Sequence, residues 1–292
     1  RSTALSAREA GAIRDFAARG GTVIADGVPG VFDEHCKRAP KPQLADLFDN
    51  SSSAKGKAVL LKNSLLNYHQ DRLTGKEGPA HQMMGDLLRS AGVRPAFAVT
   101  DMAGRPPVGV EVHTFRNGGA TIVALATNPQ LRVDELGPPE FRSNERFAKP
   151  VTARLTFPAE LFVYDIRAGK PLGKRKDMAV TVQPYEPLIY SFSPVPLPAF
   201  EISLPARAER GSNIHVGLRT AVSSPASQHV MHAEVVDPSG KVVDHYSGNL
   251  LAPNGSAGKL IPIALNDSPG RWELRVRDVL TGVTKRTQFE VF

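Results

Sequence analysis

The first apolar pattern along the chain has helical spacing. Ile13, Phe16 and Ala17 fall on one face of a segment that opens with Ser6-Ala7-Arg8-Glu9 and closes with Gly20-Gly21. Ser6 and Glu9 have the spacing of a capping box, in which each side chain accepts the other residue's backbone N–H. A glycine pair just past the last apolar position is a helix stop. Thr22-Val23-Ile24-Ala25 follows as a short β-branched run, which predicts a buried strand. Helix, glycine stop and apolar strand make half of a βαβ unit. A second short apolar run stands at 58–61, and 79–91 places Met83, Met84, Leu87, Leu88 and Ala91 on one face, a predicted core-facing stripe ended by Gly92. No strand precedes the first helix, so the pattern predicts an incomplete α/β layer whose natural N-terminus lies upstream.

From Pro95 the period changes to two. Val110, Val112 and Thr114 alternate with Glu111, His113 and Phe115, and Asn117-Gly118-Gly119 turns the chain into 121–125. That is a β-hairpin signal. Further strands are expected at 151–157, 161–166, 179–182 and 188–192, with turn residues every ~10 positions, as in a β-sandwich. The stretch 130–149 reads as a long polar insertion and the Ser-rich 50–56 as a loop. Ser193-Pro194-Val195-Pro196-Leu197-Pro198 is a stiff linker. Beyond it strands are expected at 200–204, 214–221, 230–236, 260–265, 272–276 and 287–292. Asp237-Pro238-Ser239-Gly240 and Leu280-Thr281-Gly282 supply turns, a layout that predicts an immunoglobulin-like sandwich. The expected fold class is therefore α/β (partial flavodoxin or class I amidotransferase-like), then two all-β sandwiches, with domains at 1–94, 95–194 and 199–292.

Composition changes this picture little. The 292 residues are 41% hydrophobic and 22% charged, ordinary values for a globular protein. No apolar run approaches the ~20 residues of a membrane-spanning helix, so no membrane span is expected. Net charge is +7, with the densest basic run at 170–176. No aromatic residues interleave with it, so it reads as a solvated hairpin loop and nucleic acid is not an expected partner. The one cysteine, Cys36, excludes an intrachain disulfide and a multi-cysteine zinc site. Cysteine usage leaves the compartment open, with a periplasmic or extracellular location favoured over the cytoplasm.

Candidate chemistry is sparse. Asp26 stands just past a strand's C-terminal end, where α/β folds bind ligands. Asp33, Glu34 and His35 are metal-ligand types in one loop, yet three consecutive residues seldom converge on one ion. Cys36 sits among His35, Lys37 and Arg38, without the small neighbours of a nucleophile elbow. Tyr68, His69 and Arg72 form a polar cluster suited to anchoring a loop. Glu111 and His113 share a strand face, and Asp165 and Glu186 are not placed across a sugar ring. Trp272 packs a sandwich core or stacks on a carbohydrate. The candidate ligand-binding residues are Asp26, Asp33, Glu34 and Trp272; no catalytic residue, metal or cofactor is expected.

The order of the pieces carries a resemblance. The segments 5–9 and 16–25, the loop 29–34, Leu44-Ala45-Asp46-Leu47-Phe48, 56–61 and 91–95 resemble the late part of the amidotransferase-like trimerisation domain of family-42 glycoside hydrolases, the bacterial β-galactosidases. The segments 111–128 and 161–170, and the closing Pro184-Tyr185-Glu186-Pro187-Leu188, resemble the β-domain that follows it. The resemblance covers residues 3–195. It implies an upstream catalytic (β/α)8 barrel as partner, in the same polypeptide or reached through a dimer or trimer mate. It implies an accessory role in oligomerisation and substrate access for this chain, and it carries no catalytic residue onto it. The alternatives are a carbohydrate- or protein-binding sandwich module and a divergent amidotransferase-like enzyme centred on Cys36.

Overall fold

A computed structural model describes residues 2–49, 55–61, 65–66, 68, 70–71, 76–107, 109–127, 149–221 and 227–292. The chain divides into two compact units, Arg1–Pro95 and Ala96–Phe292.

In the first unit, α1 spans Ala7–Ala18 and starts with the capping box: Ser6 Oγ accepts from the Glu9 N–H at 3.2 Å, and Glu9 Oε2 accepts from the Ser6 N–H at 2.8 Å. Strand β1 (Thr22–Ala25) pairs in parallel with β2 (Lys57–Leu60). A short helix, α2 (Ala45–Phe48), is tied to α1 by the Arg14–Asp46 ion pair at 2.9 Å. Leu5, Ala10, Ala17, Leu44 and Leu47 are buried together. Helix α3 (Gly78–Ser90) forms as predicted, but none of its residues is buried and Leu88 is 40% exposed.

This overturns the α/β expectation. The protein is mostly β, with 46% strand and 14% helix, and has no amidotransferase-like α/β part. Helix and strand do follow one another at 7–25, as the local pattern demands. Among the described residues of this unit, however, the parallel sheet has only two four-residue strands, whereas a wound α/β domain needs a parallel sheet covered on both faces. Local periodicity identifies such elements but does not supply the layer they would join.

The described residues of the second unit form three sheets. The first runs β3 (Ala98–Thr100), β6 (Val151–Asp165), β8 (Leu188–Ser193), β5 (Ala120–Thr127), β4 (Val110–Asn117), with β7 (Lys170–Val182) also paired to β6. Strands β4 and β5 form the hairpin expected from alternation and Asn-Gly-Gly. The two strands expected at 151–157 and 161–166 are one strand of 15 residues. A register shift between Thr156 and Leu161 bends it, so its first half pairs with β3 and its second half with β8. Phe97, Phe157 and Phe192 pack at the resulting core, with ring centroids 4.8 to 6.3 Å apart.

The basic run 170–176 is not a hairpin loop. It lies within β7, and the turn comes earlier, with Gly169 at φ +66°. Among the described residues, strand β7 pairs with β6 alone and forms a margin of the sheet. Exposed Lys170, Lys174, Arg175 and Lys176, with Pro171 and Gly173, are the residues that keep an edge strand from pairing with another chain. All but the last residue of the expected insertion at 130–149, and much of the Ser-rich 50–56, fall outside the described residues.

The remaining strands form a sandwich. One sheet runs β10 (Arg207–Ala208), β16 (Thr284–Val291), β15 (Gly270–Asp278), β12 (His229–Val236), β13 (Gly248–Ala252). The other runs β14 (Ser256–Pro262), β11 (Asn213–Thr220), β9 (Phe200–Ser203). Strict alternation places Trp272, Leu274 and Val276 of β15 against Ile214, Val216 and Leu218 of β11 in one core.

The two β regions are joined through the β15–β16 turn. Leu280, 3% exposed, packs with Tyr164, Ala120 and Leu197. Its carbonyl accepts the Ser191 hydroxyl, and the Leu197 N–H donates to the Tyr164 hydroxyl at 2.8 Å. The Asn117 side-chain amide both donates to the Gln228 carbonyl and accepts its N–H, each at 2.8 Å. Gly282 (φ +73°) lies so close to Gly169 that an added Cβ would stand 2.4 Å from the Gly169 Cα.

Gly282→Ala should therefore cost at least ~2 kcal/mol, because both its φ and the space oppose a side chain. Urea denaturation checks this, and an unchanged midpoint would show that the contact is not tight. Burial pushes the Tyr190 phenol up to about 12. An unfolded tyrosine titrates near ~10, so the folded state holds this proton more tightly. The contribution is fully present below pH ~10 and is lost as pH rises toward 12, at about 1.4 kcal/mol per pH unit. Tyr190→Phe should flatten the stability–pH curve in that window, measured by denaturation at pH 9 to 12 (roughly).

Candidate functional site

The four candidate residues are divided between the two units, with Asp26, Asp33 and Glu34 in the first and Trp272 in the second. Asp26 follows β1, and its Oδ2 accepts the Leu65 N–H at 3.0 Å, which ties the segment after β2 to the end of β1. Asp33 is the acceptor of a tight turn: its Oδ1 takes the N–H groups of His35 at 2.9 Å and Lys37 at 2.8 Å. Glu34 is exposed in that turn, and Cys36, also exposed, occupies the left-handed region at φ +57°. Backbone geometry thus explains Asp33 and its neighbours without a ligand. Trp272 belongs to the other unit. It is 1% exposed and donates its indole N–H to the Ser268 carbonyl at 2.9 Å, so neither ring face is open for a sugar to stack on.

The other polar positions are also locally engaged. His113 Nε2 and Glu111 Oε2 lie 3.0 Å apart on the exposed face of β4. Asp165 accepts the Ala168 N–H at 2.8 Å and caps the β6–β7 turn, while Glu186 is exposed in the β7–β8 loop. His69 and Arg72 lie outside the described residues. No three His, Cys, Asp or Glu side chains among the described residues form a metal-ligating group, and no described helix is long and apolar enough to cross a membrane.

The structure reveals two polar groupings that the sequence did not announce. The first is buried. His229 and Asp278 are 2% and 1% exposed, with Nδ1 and Oδ2 3.0 Å apart. The same Oδ2 accepts the Thr281 hydroxyl at 2.8 Å, and Oδ1 accepts the Leu280 N–H at 3.1 Å. A carboxylate has only acceptors, so Nδ1 carries the hydrogen. Thr281 is bonded to Asp278 rather than to His229, so this is no nucleophile–base relay. Its work is to shape the turn that carries Leu280. The sequence did offer one signal, Asp278 placed just before the Thr281-Gly282 turn.

The second grouping lies at one end of the C-terminal sandwich. A depression of ≈ 290 Å³ is lined by residues 237, 241–245, 266–268 and 272. Its frame is fixed by hydrogen bonds. Asp267 Oδ2 accepts the Tyr246 hydroxyl and the Ala264 N–H, both at 2.8 Å. Burial, then the bond to Asp267, pushes the Tyr246 phenol above its ordinary range. Asp237 Oδ1 accepts from the Ser239 hydroxyl and from the N–H groups of Ser239 and Lys241. Those bonds, with the Ser239 hydroxyl the largest, hold the Asp237 carboxyl below the usual range.

No protein-family model matches the chain, and no curated protein matches it. Remote likeness to solved structures exists. The native E. coli alpha-2-macroglobulin aligns over 60% of this chain and 19% of its own, at 9% identity and TM-score 0.25. Red sea bream transglutaminase aligns over 74% of this chain and 34% of its own, at 13% identity and TM-score 0.24. A chimeric titin Z1Z2 tandem aligns over 62% and 98%, at 11% identity and TM-score 0.23. The chain thus spans about a fifth of the macroglobulin and a third of the transglutaminase. Its β-sandwich character rests on the sheets described above.

Removing the Asp278 carboxylate should be costly, because it strands a buried imidazole and frees two donors of the turn. Asp278→Ala is expected to lose about 3–5 kcal/mol in chemical denaturation, and Asp278→Asn distinctly less. Equal, small losses for both would mean that the pair does not organise the turn.

Proposed function

We propose that this chain is a non-catalytic accessory region of a larger, glycoside-hydrolase-like protein, in which it supports assembly and substrate access. The observation that carries this reading is the junction around Leu280. Two β regions are held as one unit through buried backbone and side-chain contacts, which suits a spacer that keeps what it carries at a set distance. The first unit adds an apolar surface for association. On α3, Met83, Met84 and Leu87 are only half-buried and Leu88 is exposed, a face that a second copy or an adjoining domain would cover.

A second reading makes the C-terminal sandwich a binding module, and the framed polar depression at its end supports it. An amidotransferase-like enzyme is not retained, because the fold that would position Cys36 is absent.

The accessory reading has two expected outcomes. The purified chain should release no nitrophenol from aryl β-galactosides, and light scattering should show reversible self-association that Leu88→Glu weakens. Turnover by this chain would overturn the reading. A strict monomer that also fails to join a separately supplied glycosidase barrel would remove the assembly role.

A further inference from the structure

The depression on the C-terminal sandwich has a fixed frame and a set of uncommitted polar groups. Three short segments converge there: the turn 237–241, the 3₁₀ turn Asp244–Tyr246, and 264–268 before β15. The Tyr246–Asp267 bond and the Trp272 N–H to Ser268 bond fix two of them against the sandwich core. Asp237 fixes the third through the Ser239 and Lys241 amides. Lys241, Asp244, His245 and Asn266 remain on the lining, and none of these four side chains is committed to a hydrogen bond with another described residue.

We propose that this depression binds the neutral end of a glycan, one sugar unit deep, with Asp244 and Asn266 as the principal contacts. It rests on the binding-module reading of this sandwich and not on the assembly role.

Chemistry selects the ligand class. A sugar hydroxyl donates one hydrogen bond and accepts others. It therefore matches a lining that mixes a carboxylate acceptor, an amide that does both and an ammonium donor. Asp237, Asp244 and Asp267 outnumber Lys241, so the lining repels carboxylated, sulfated or phosphorylated ligands. Val242 and Val243 supply the apolar contact that sugar C–H groups need, and buried Trp272 closes the floor. Because the site is open and small, affinity should be weak, about 1 mM. A preformed, mostly rigid frame offsets part of the entropy that such a small contact would otherwise lose.

The test uses the full 292-residue chain, isotope-labelled, in NMR titrations. The probes are methyl glycosides of galactose, glucose and mannose, with glucuronate and free lysine as charged competitors. The expected result is saturable shifts in amides of 237–246 and 264–268 with at least one neutral glycoside. Asp244→Ala and Asn266→Ala should each weaken that binding at least about fivefold, as loss of a hydrogen bond to a charged or amide partner does. Both positions are exposed, so the denaturation midpoint should stay in place, and Asp244→Asn provides a second variant of equal volume.

Stronger binding of glucuronate or lysine would overturn the proposal. So would the absence of saturable shifts in these segments up to about 50 mM glycoside, or shifts that all three substitutions leave unchanged. Saturable shifts confined to another face of the sandwich would keep the binding-module reading and reject this site. No glycoside binding anywhere would reject both.

Discussion

The arrangement of the larger unit depends on one buried carboxylate. Asp278 receives the Leu280 N–H, the Thr281 hydroxyl and the His229 ring, and so gives the β15–β16 turn a single shape. In that shape Leu280 reaches the apolar site formed by Tyr164, Ala120 and Leu197, while its carbonyl meets Ser191. A polar group at 1% exposure would be a liability if any partner were missing. Here its partners are all present, and the network exchanges apolar stability for a defined geometry. The Asn117–Gln228 pair works similarly at a second point, with a side-chain amide standing in for a strand neighbour.

The β regions were legible because alternation is a physical necessity of a half-buried strand. Val110 to Leu125 around Asn117-Gly118-Gly119, and the inward Trp272, Leu274 and Val276, declare their faces without any knowledge of tertiary structure. Two errors in this region share a cause. The basic run 170–176, which contains Pro171 and Gly173, reads as a loop, and the strand that carries Pro158 reads as two strands, 151–157 and 161–166. Proline, glycine and dense charge are uncommon in central strands but tolerated at an edge or a bulge, which local sequence does not reveal. In the first unit the elements were legible and the layer was not. The α1–β1 pattern is real, but whether a helix and strand belong to a wound sheet is decided by strands elsewhere.

Site chemistry was harder to read than the fold. Asp33 was conspicuous for its neighbours, and it proved to be a turn acceptor for the amides of His35 and Lys37. Trp272 was conspicuous as the only tryptophan, and its indole is enclosed by the core. The residues that gather around the sandwich depression come from three turns spread over 237–268, each of which reads by itself as ordinary turn sequence. Convergence between loops is a property of the sandwich end, set by sheet pairing far from the loops themselves.

The approach of Gly169 to Gly282 has a consequence for descent. Most domain junctions can drift, because a lost side-chain contact is repaired by another nearby. Two backbones that meet directly leave no side chain to exchange. A lineage that keeps this docked pair is obliged to keep both glycines together, although they stand far apart in the chain. A lineage that loses one is released to remodel the whole elbow. The pair therefore links two distant positions of the chain, so that a change at either one is felt at the same point of the junction.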